Sequence, residues 1–190
     1  EVVETRQGFS VKDIIYDNGT ITGVTGKNKD GEIENIYAPL VMGCDGANSI
    51  ISRKLGLYKM DINNTAVAIR CYYEGIEGLT DQIELHYVSE VKPGYFWLFP
   101  AGEGKANIGI GLYKSDAKKE KRSLEQIMNE IIASQYFNDR FQNAYPTEKP
   151  KGWNLPMGSI QRENHGDGFL LLGDAAGLVD PFTGEGIGNA

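Results

Sequence analysis

Residues 166–190, Gly-Asp-Gly-Phe-Leu-Leu-Leu-Gly-Asp-Ala-Ala-Gly-Leu-Val-Asp-Pro-Phe-Thr-Gly-Glu-Gly-Ile-Gly-Asn-Ala, decide how the rest of the chain is read. The apolar run 169–172 predicts a short buried strand that stops at Gly173-Asp174. A small-residue segment and a turn at Pro181 follow, and Gly184-Glu-Gly-Ile-Gly then predicts the opening of a helix. Glycines let backbone approach a ligand closely, and the free N–H groups of a helix start face negative oxygens. An aspartate at the carboxyl end of a buried strand suits the hydroxyls of a sugar or ribityl chain. The combination fits a flavin or a dinucleotide. The residues specify a ligand turn more sharply than they specify the ligand. A strand–turn–helix whose glycines serve only close packing is the alternative.

Outward from this segment, 190 residues suffice for one domain or two small ones with a sizeable core. Hydrophobic content of 41% with 24% charged residues is that of an ordinary globular chain. A net charge of −7 argues against a nucleic-acid partner, whose phosphates call for Lys and Arg. The densest basic cluster, Lys118-Lys119-Glu120-Lys121-Arg122, reads as the solvated lead-in to a helix. With no run of 18 apolar residues and no signal peptide, no membrane-spanning segment is expected, and the location expected is cytoplasmic. The first residue is Glu1 rather than Met, residues 2 and 3 resemble a strand, and Ala190 falls where a helix should begin. The sequence therefore reads as a piece of a longer protein.

Cys44 and Cys71 lack metal or redox spacing and are expected to be free and buried. His86 and His165 are far apart, so no metal is expected. His86, in the alternating stretch Ile83-Glu-Leu-His-Tyr-Val, reads as a strand-face residue.

Residues 9–37 predict three short strands. Asn18-Gly19 suits a tight hairpin turn, and Lys29-Asp30-Gly31 repeats the device. Residues 39–43 predict a buried strand running into Asp45-Gly46. Ser49 is placed to cap a short helix carrying Ile50, Ile51 and Leu55, with Gly56 at its C-terminal cap. Four strand-like runs follow, at 65–73, 83–88, 95–99 and 106–113, separated by Gly, Asp and Pro as in an antiparallel sheet. Residues 123–134 predict a helix with Leu124, Ile127, Met128, Ile131 and Ile132 on one face and a capping box from Ser123 and Gln126. Residues 136–152 read as irregular or partly helical, and 153–160 as a strand.

At this point the residues reach a known family. Val41-Met-Gly-Cys-Asp-Gly-Ala-Asn-Ser, followed by Ser52-Arg-Lys-Leu-Gly-Leu, resembles the "DG" motif of FAD-dependent oxidoreductases of the para-hydroxybenzoate hydroxylase type. Gly173-Asp174-Ala-Ala-Gly with Pro181 and Gly184-Glu-Gly-Ile-Gly-Asn-Ala resembles their "GD" motif. Between them, Pro93-Gly-Tyr-Phe-Trp-Leu-Phe-Pro and Ala106-Asn-Ile-Gly-Ile-Gly resemble the signature of the geranylgeranyl reductase branch.

The resemblance implies a mixed α+β and α/β architecture. Residues 1–61 and 161–190 would be parts of a layered FAD-binding domain with a β-meander, and 62–160 an antiparallel-sheet substrate domain covered by helices. It implies that Asp174, with Gly173, meets the ribityl chain of FAD, and that Pro181, Gly184, Gly186, Ile187 and Gly188 form the turn beside the ribityl and isoalloxazine groups. Asp45 and Gly46 would lie near the pyrophosphate and the approach of NAD(P)H. Tyr95, Trp97 and Phe99 would line the substrate side. The family's first element, a strand ending in GxGxxG that supplies the main pyrophosphate cradle, is absent from these 190 residues, and tight FAD binding is not expected of this stretch alone.

Alternation places Tyr95, Trp97 and Phe99 on one strand face and Phe96 and Leu98 on the other. Both faces are apolar, so both are expected to be covered. Along the next strand Asn107, Gly109 and Gly111 share a face that reads as bare, with room for a flavin or a substrate channel. The implied activity is flavin-dependent reduction of carbon–carbon double bonds in isoprenoid-like apolar substrates, with peripheral contact to a membrane. The alternatives are a flavin-dependent aromatic monooxygenase or halogenase, and a ligand-binding fragment without redox function. No side chain stands out as the catalytic acid; Tyr95 is a candidate.

Overall fold

The computed structural model describes residues 3–58 and 60–190. In chain order the first elements are β1 (Ser10–Asp17), β2 (Thr20–Lys27), β3 (Ile33–Tyr37), β4 (Val41–Gly43), α1 (Ile50–Lys54), β5 (Thr65–Glu74), β6 (Glu84–His86), β7 (Tyr95–Pro100) and β8 (Lys105–Tyr113). They are followed by α2 (Lys114–Ala117), α3 (Leu124–Ile132), α4 (Asn138–Phe141), β9 (Tyr145–Pro146), β10 (Lys151–Pro156), β11 (His165–Gly166) and β12 (Phe169–Leu171). Two compact units result: Glu1–Met60 with Pro156–Ala190, and Asp61–Leu155. The strand expected at 2–3 lies outside the described residues at Val2, and Val3 is exposed and in no strand.

In the first unit, β1, β2 and β3 form an antiparallel meander in that order. The β1–β2 turn carries positive φ at both Asn18 and Gly19, the geometry whose twist matches the flanking strands. The second sheet has the order β11-β12-β4, with β12 parallel to β4 and Leu171 opposite Gly43. Ile14, Ile21, Ile51, Phe169, Leu171 and Ala176 form one core. Ser49 caps α1 through a bond from Ser52 N to its Oγ. Residues 39–43 depart from the expected buried strand. Only three of them are in β4, and Leu40 and Met42 are about half exposed. Alternation turns Val41 and Gly43 toward the core and Met42 away from it, and β4 pairs on one edge alone among the described residues. Cys44, expected buried, is exposed, because it already belongs to the turn beyond β4.

No helix opens at 184–190. The segment is a closed loop, with Asp180 N donating to Glu185 O, Gly184 N to Asp180 O and Ala190 N to Ile187 O. Side chains of Asp180, Thr183 and Glu185 accept the loop's own N–H groups. Local bonds of this kind compete directly with helix formation.

The second unit is an antiparallel sheet of order β10-β5-β8-β7-β6, with β9 against β5. Its inner face, including Cys71, Phe96, Leu98, Ile108, Ile110 and Leu112, packs on Ile127, Met128 and Ile131 of α3 and on Phe137 and Phe141. The capping box of α3 is present: Gln126 N donates to Ser123 Oγ at 3.1 Å, and Ser123 N to Gln126 Oε1 at 2.7 Å. The other face of β7 is less covered than expected. Phe96 and Leu98 are wholly buried, whereas Tyr95, Trp97 and Phe99 are half-buried, because the helices pack on the inner face.

Candidate functional site

The parallel pair β4/β12 positions both acidic turns. Its pairing is extended by a bond from Leu172 N to Gly43 O, so the two strands end together. Asp45 and Asp174 each follow within three residues of these carboxyl ends. In open α/β sheets that is where ligands bind. Asp45 is exposed, and its Oδ2 accepts from Ile50 N at 2.6 Å, at the entrance to α1. The intervening Gly46 has φ +74°, and a side chain there would meet nothing within 4 Å.

Asp174 differs. It is half-buried in the turn Gly173–Ala175, and burial pushes its carboxyl above the ordinary aspartate range. Among the described residues no protein donor bonds its carboxylate. Gly186 brings the loop 180–188 alongside, since a Cβ there would lie 3.4 Å from Asp174 Oδ1 and from Val179 Cγ2. Pro181 borders a cleft of 320 Å³ shared with Gly158, Leu178, Val179, Asp180 and Asn189. The structure thus brings together Gly173, Asp174 and Gly186. Gly184, Ile187 and Gly188 lie in the same loop, and Ile187 is 90% exposed.

The loop's two other carboxylates are already engaged. Asp180 Oδ1 accepts from Phe182 N, Thr183 N and Thr183 Oγ1, and the Thr183 bonds hold its carboxyl below the usual range. Glu185 Oε1 accepts from Ile187 N at 2.6 Å and Gly188 N at 2.8 Å. These are N–H groups that a helix start would have turned outward toward a ligand, and here the loop's own carboxylates take them. One residue escaped the sequence reading. Arg162 Nη1 donates to Met157 O and Gly177 O, tying the segment just after β10 to the acidic turn. A Cβ at Gly177 would fall on that guanidinium. The glycine of Asp-Ala-Ala-Gly signals a close approach without naming the partner.

In the second unit the outer sheet face carries the predicted aromatic residues. Register sets Trp97 opposite Gly109 and Tyr95 opposite Gly111. The Trp97 indole lies over Gly109 and donates from Nε1 to Asn107 Oδ1 at 3.0 Å. A Cβ at Gly109 would come within 2.3 Å of Trp97 Cζ2 and of Ile69 O. The face expected to be bare is therefore filled at Gly109 by Trp97, while Gly111 keeps room, its nearest neighbour being Ala68 Cβ at 3.8 Å. Phe99, Trp97, Tyr95 and Tyr87 form a continuous stripe with ring centroids 5.9, 6.0 and 6.0 Å apart. Burial raises the Tyr95 phenol above its ordinary pKa.

Across residues 1–190 the sequence matches the profile of a family described as FAD binding domain. The chain belongs to that family. It is 32% identical over 177 residues to digeranylgeranylglycerophospholipid reductase 2 of Methanopyrus kandleri, covering 91% of this chain and 43% of the relative. It is 33% identical over 178 residues to the protein of that name from Methanothermobacter thermautotrophicus, covering 92% and 43%. The chain spans less than half the length of these relatives. Among solved structures it is similar to a geranylgeranyl bacteriochlorophyll reductase-like protein from Thermoplasma acidophilum, with TM-score 0.84 and 26% identity over 94% of this chain and 44% of that one. A flavin-dependent brominase superposes with TM-score 0.75 at 21% identity, over 92% of this chain and 44% of that one, which shows a shared fold. FAD is the cofactor of the family. Among the described residues no three His, Cys, Asp or Glu side chains are grouped to hold a metal, and no helix is long and apolar enough to cross a membrane.

Proposed function

We propose that the protein containing this chain reduces carbon–carbon double bonds of isoprenoid lipids with FAD, reduced in turn by NAD(P)H. The observation that carries the reading is Asp174: a half-buried carboxylate at a parallel strand end, without a donor among the described residues, beside a glycine that admits a close ligand. A ribityl chain supplies the hydroxyl donors such a carboxylate lacks. The Gly173 turn and Gly186 would let backbone approach the same chain, and Gly184, Ile187 and Gly188 would continue the cradle. Asp45 and Gly46 would lie toward the pyrophosphate. The similarity to digeranylgeranylglycerophospholipid reductases over nine-tenths of the chain supports the substrate class.

In this reading residues 1–61 and 161–190 hold the cofactor and 62–160 the substrate. FAD, when bound, supplies hydride to one carbon of the double bond, and the other carbon needs a proton. The protein's part is orientation and exclusion of water. Tyr95, Trp97 and Phe99 would hold the chain flat against the sheet, over the space left at Gly111. Tyr95 keeps its proton on Oη well above neutral pH because of burial, and is the candidate proton donor. A lipid substrate would bring a cytoplasmic protein to a membrane face.

The test is to express the full reading frame and look for flavin absorbance. NADPH or NADH is then added without oxygen, with a geranylgeranyl lipid present. Bleaching of the flavin and a gain of two hydrogens per reduced bond by mass spectrometry are expected. A colourless protein that refuses FAD overturns the reading. So does peroxide release in air with the alkene left intact, the behaviour of a monooxygenase.

A further inference from the structure

We propose that a long isoprenoid chain does not end on the aromatic stripe but turns around the β6 edge of the sheet into a second cleft, which holds its distal end. This rests on the isoprenoid reading above and adds a subsite that sets chain length. The cleft measures 720 Å³, within the range of about 300–1,000 Å³ usual for small-molecule sites. Leu85, Tyr87, Val88, Ile131, Tyr136 and Phe137 make up half of its lining, and polar residues, His86, Glu90 and Lys92 among them, make up the other half.

Two observations join it to the stripe. First, Tyr87 belongs to both: its ring is 6.0 Å from that of Tyr95 on the outer face, and it stands in the cleft wall. Second, β6 is the last strand of its sheet, pairing with β7 alone among the described residues. A chain can therefore pass its edge without crossing a strand. Leu85, opposite Trp97, lies on the outer face, whereas Ile131 of α3 and Phe137 belong to the core beneath the inner face. The cleft is thus lined both by a residue of the stripe's face and by residues of the core beneath the inner face.

The occupant is a flexible hydrocarbon rather than a planar ring or a charged group. Leu85, Tyr87 and Tyr136 are exposed apolar or aromatic side chains around one opening, at 38%, 64% and 76%. Burying such surface favours a ligand in proportion to the apolar area removed from water. The polar part of the lining, with Glu90 and Lys92, suits a chain end still reached by water.

The test uses the full reading frame with FAD and two probes, geranylgeranyl phosphate and geranyl phosphate. Ser134→Trp fills the cleft from its α3 side, and Tyr136→Glu places a charge at an exposed position with little risk to folding. Each variant is expected to weaken geranylgeranyl phosphate about tenfold, a change of ~1.4 kcal/mol, and to leave geranyl phosphate and the flavin spectrum unchanged. Equal affinity of wild type and both variants for the long chain overturns the subsite while leaving the reductase reading intact. So does a concentration-dependent dimer that the variants abolish with chain affinity unchanged, since the β6 edge would then serve a second copy. Wild-type protein that binds neither probe overturns the underlying reading instead.

Discussion

Replacing Asp174 with Asn should make the fold more stable and the cofactor weaker at once. Burial raises the pKa of Asp174, and among the described residues no protein cation or N–H group offsets that. The native state therefore binds a proton more readily than the unfolded chain, whose aspartates titrate near ~3.9. Below that pH both states are protonated and the group is neutral toward stability. As pH rises through the elevated native pKa, the folded protein must ionise a half-buried group, and stability falls relative to the amide variant. Asp174→Asn should thus raise Tm of the flavin-free protein at neutral pH, with the difference vanishing toward about pH 4.

The same change removes a charged acceptor for ribityl hydroxyls. Hydrogen bonds to charged groups contribute about 1.5–3 kcal/mol, so FAD should bind roughly ten- to a hundredfold more weakly. Differential scanning calorimetry of the flavin-free full reading frame and a flavin-fluorescence titration read the two effects separately. Unchanged FAD affinity would refute the cofactor role. A variant less stable than wild type at neutral pH would refute the claim that the carboxylate lacks protein partners.

Gly109→Ala should cost about 1–3 kcal/mol in denaturant unfolding, because its Cβ collides with the Trp97 ring and the Ile69 carbonyl. Gly111→Ala should change stability by less than about 0.5 kcal/mol, the range usual where no such collision arises. Arg140 holds the Glu84 carboxyl below its ordinary range, against burial and with help from His86. The advantage of wild type over Glu84→Gln should accordingly be present above about pH 4.3 and disappear as pH falls through the depressed native value, as followed by acid titration of circular dichroism. Ser123→Ala removes an N-cap with both capping-box bonds formed and should cost about 0.5–2 kcal/mol in thermal unfolding.

The parts of the fold that were legible are those whose determinants are neighbours in sequence. Asn18-Gly19 supplies two residues tolerant of positive φ at adjacent positions, which specifies the hairpin. Ser123 and Gln126 are three apart, and the core face of α3 repeats at helical spacing. What alternation supplies is a face, not a direction within it. It placed Trp97 with Gly109 on one side of the sheet, but the register of β7 against β8 decides that the indole lies over that glycine. Arg162 was illegible for a related reason: its guanidinium joins Met157 O, five residues back, to Gly177 O, fifteen residues on, and no local pattern encodes that meeting.

The site carries the same lesson in its carboxylates. By residue type Asp45, Asp174, Asp180 and Glu185 are four equivalent acids among glycines. The structure divides them by what their oxygens already accept. Asp45 takes the N–H of Ile50, Asp180 those of Phe182 and Thr183, and Glu185 those of Ile187 and Gly188. Those three shape turns and would do so with no ligand at all. Asp174 alone among these four is half-buried with no donor among the described residues, and burial raises its pKa. Holding the carboxylate there costs the fold some stability, because partial burial disfavours its charged form. The arrangement leaves its oxygens open to donors from a ligand, and hydroxyl groups would satisfy a carboxylate without bringing a charge of their own. Asp174 is therefore the residue whose substitution separates binding from folding, whereas Asp45→Asn or Asp180→Asn should disturb the loops before they disturb any hydroxyl of the cofactor.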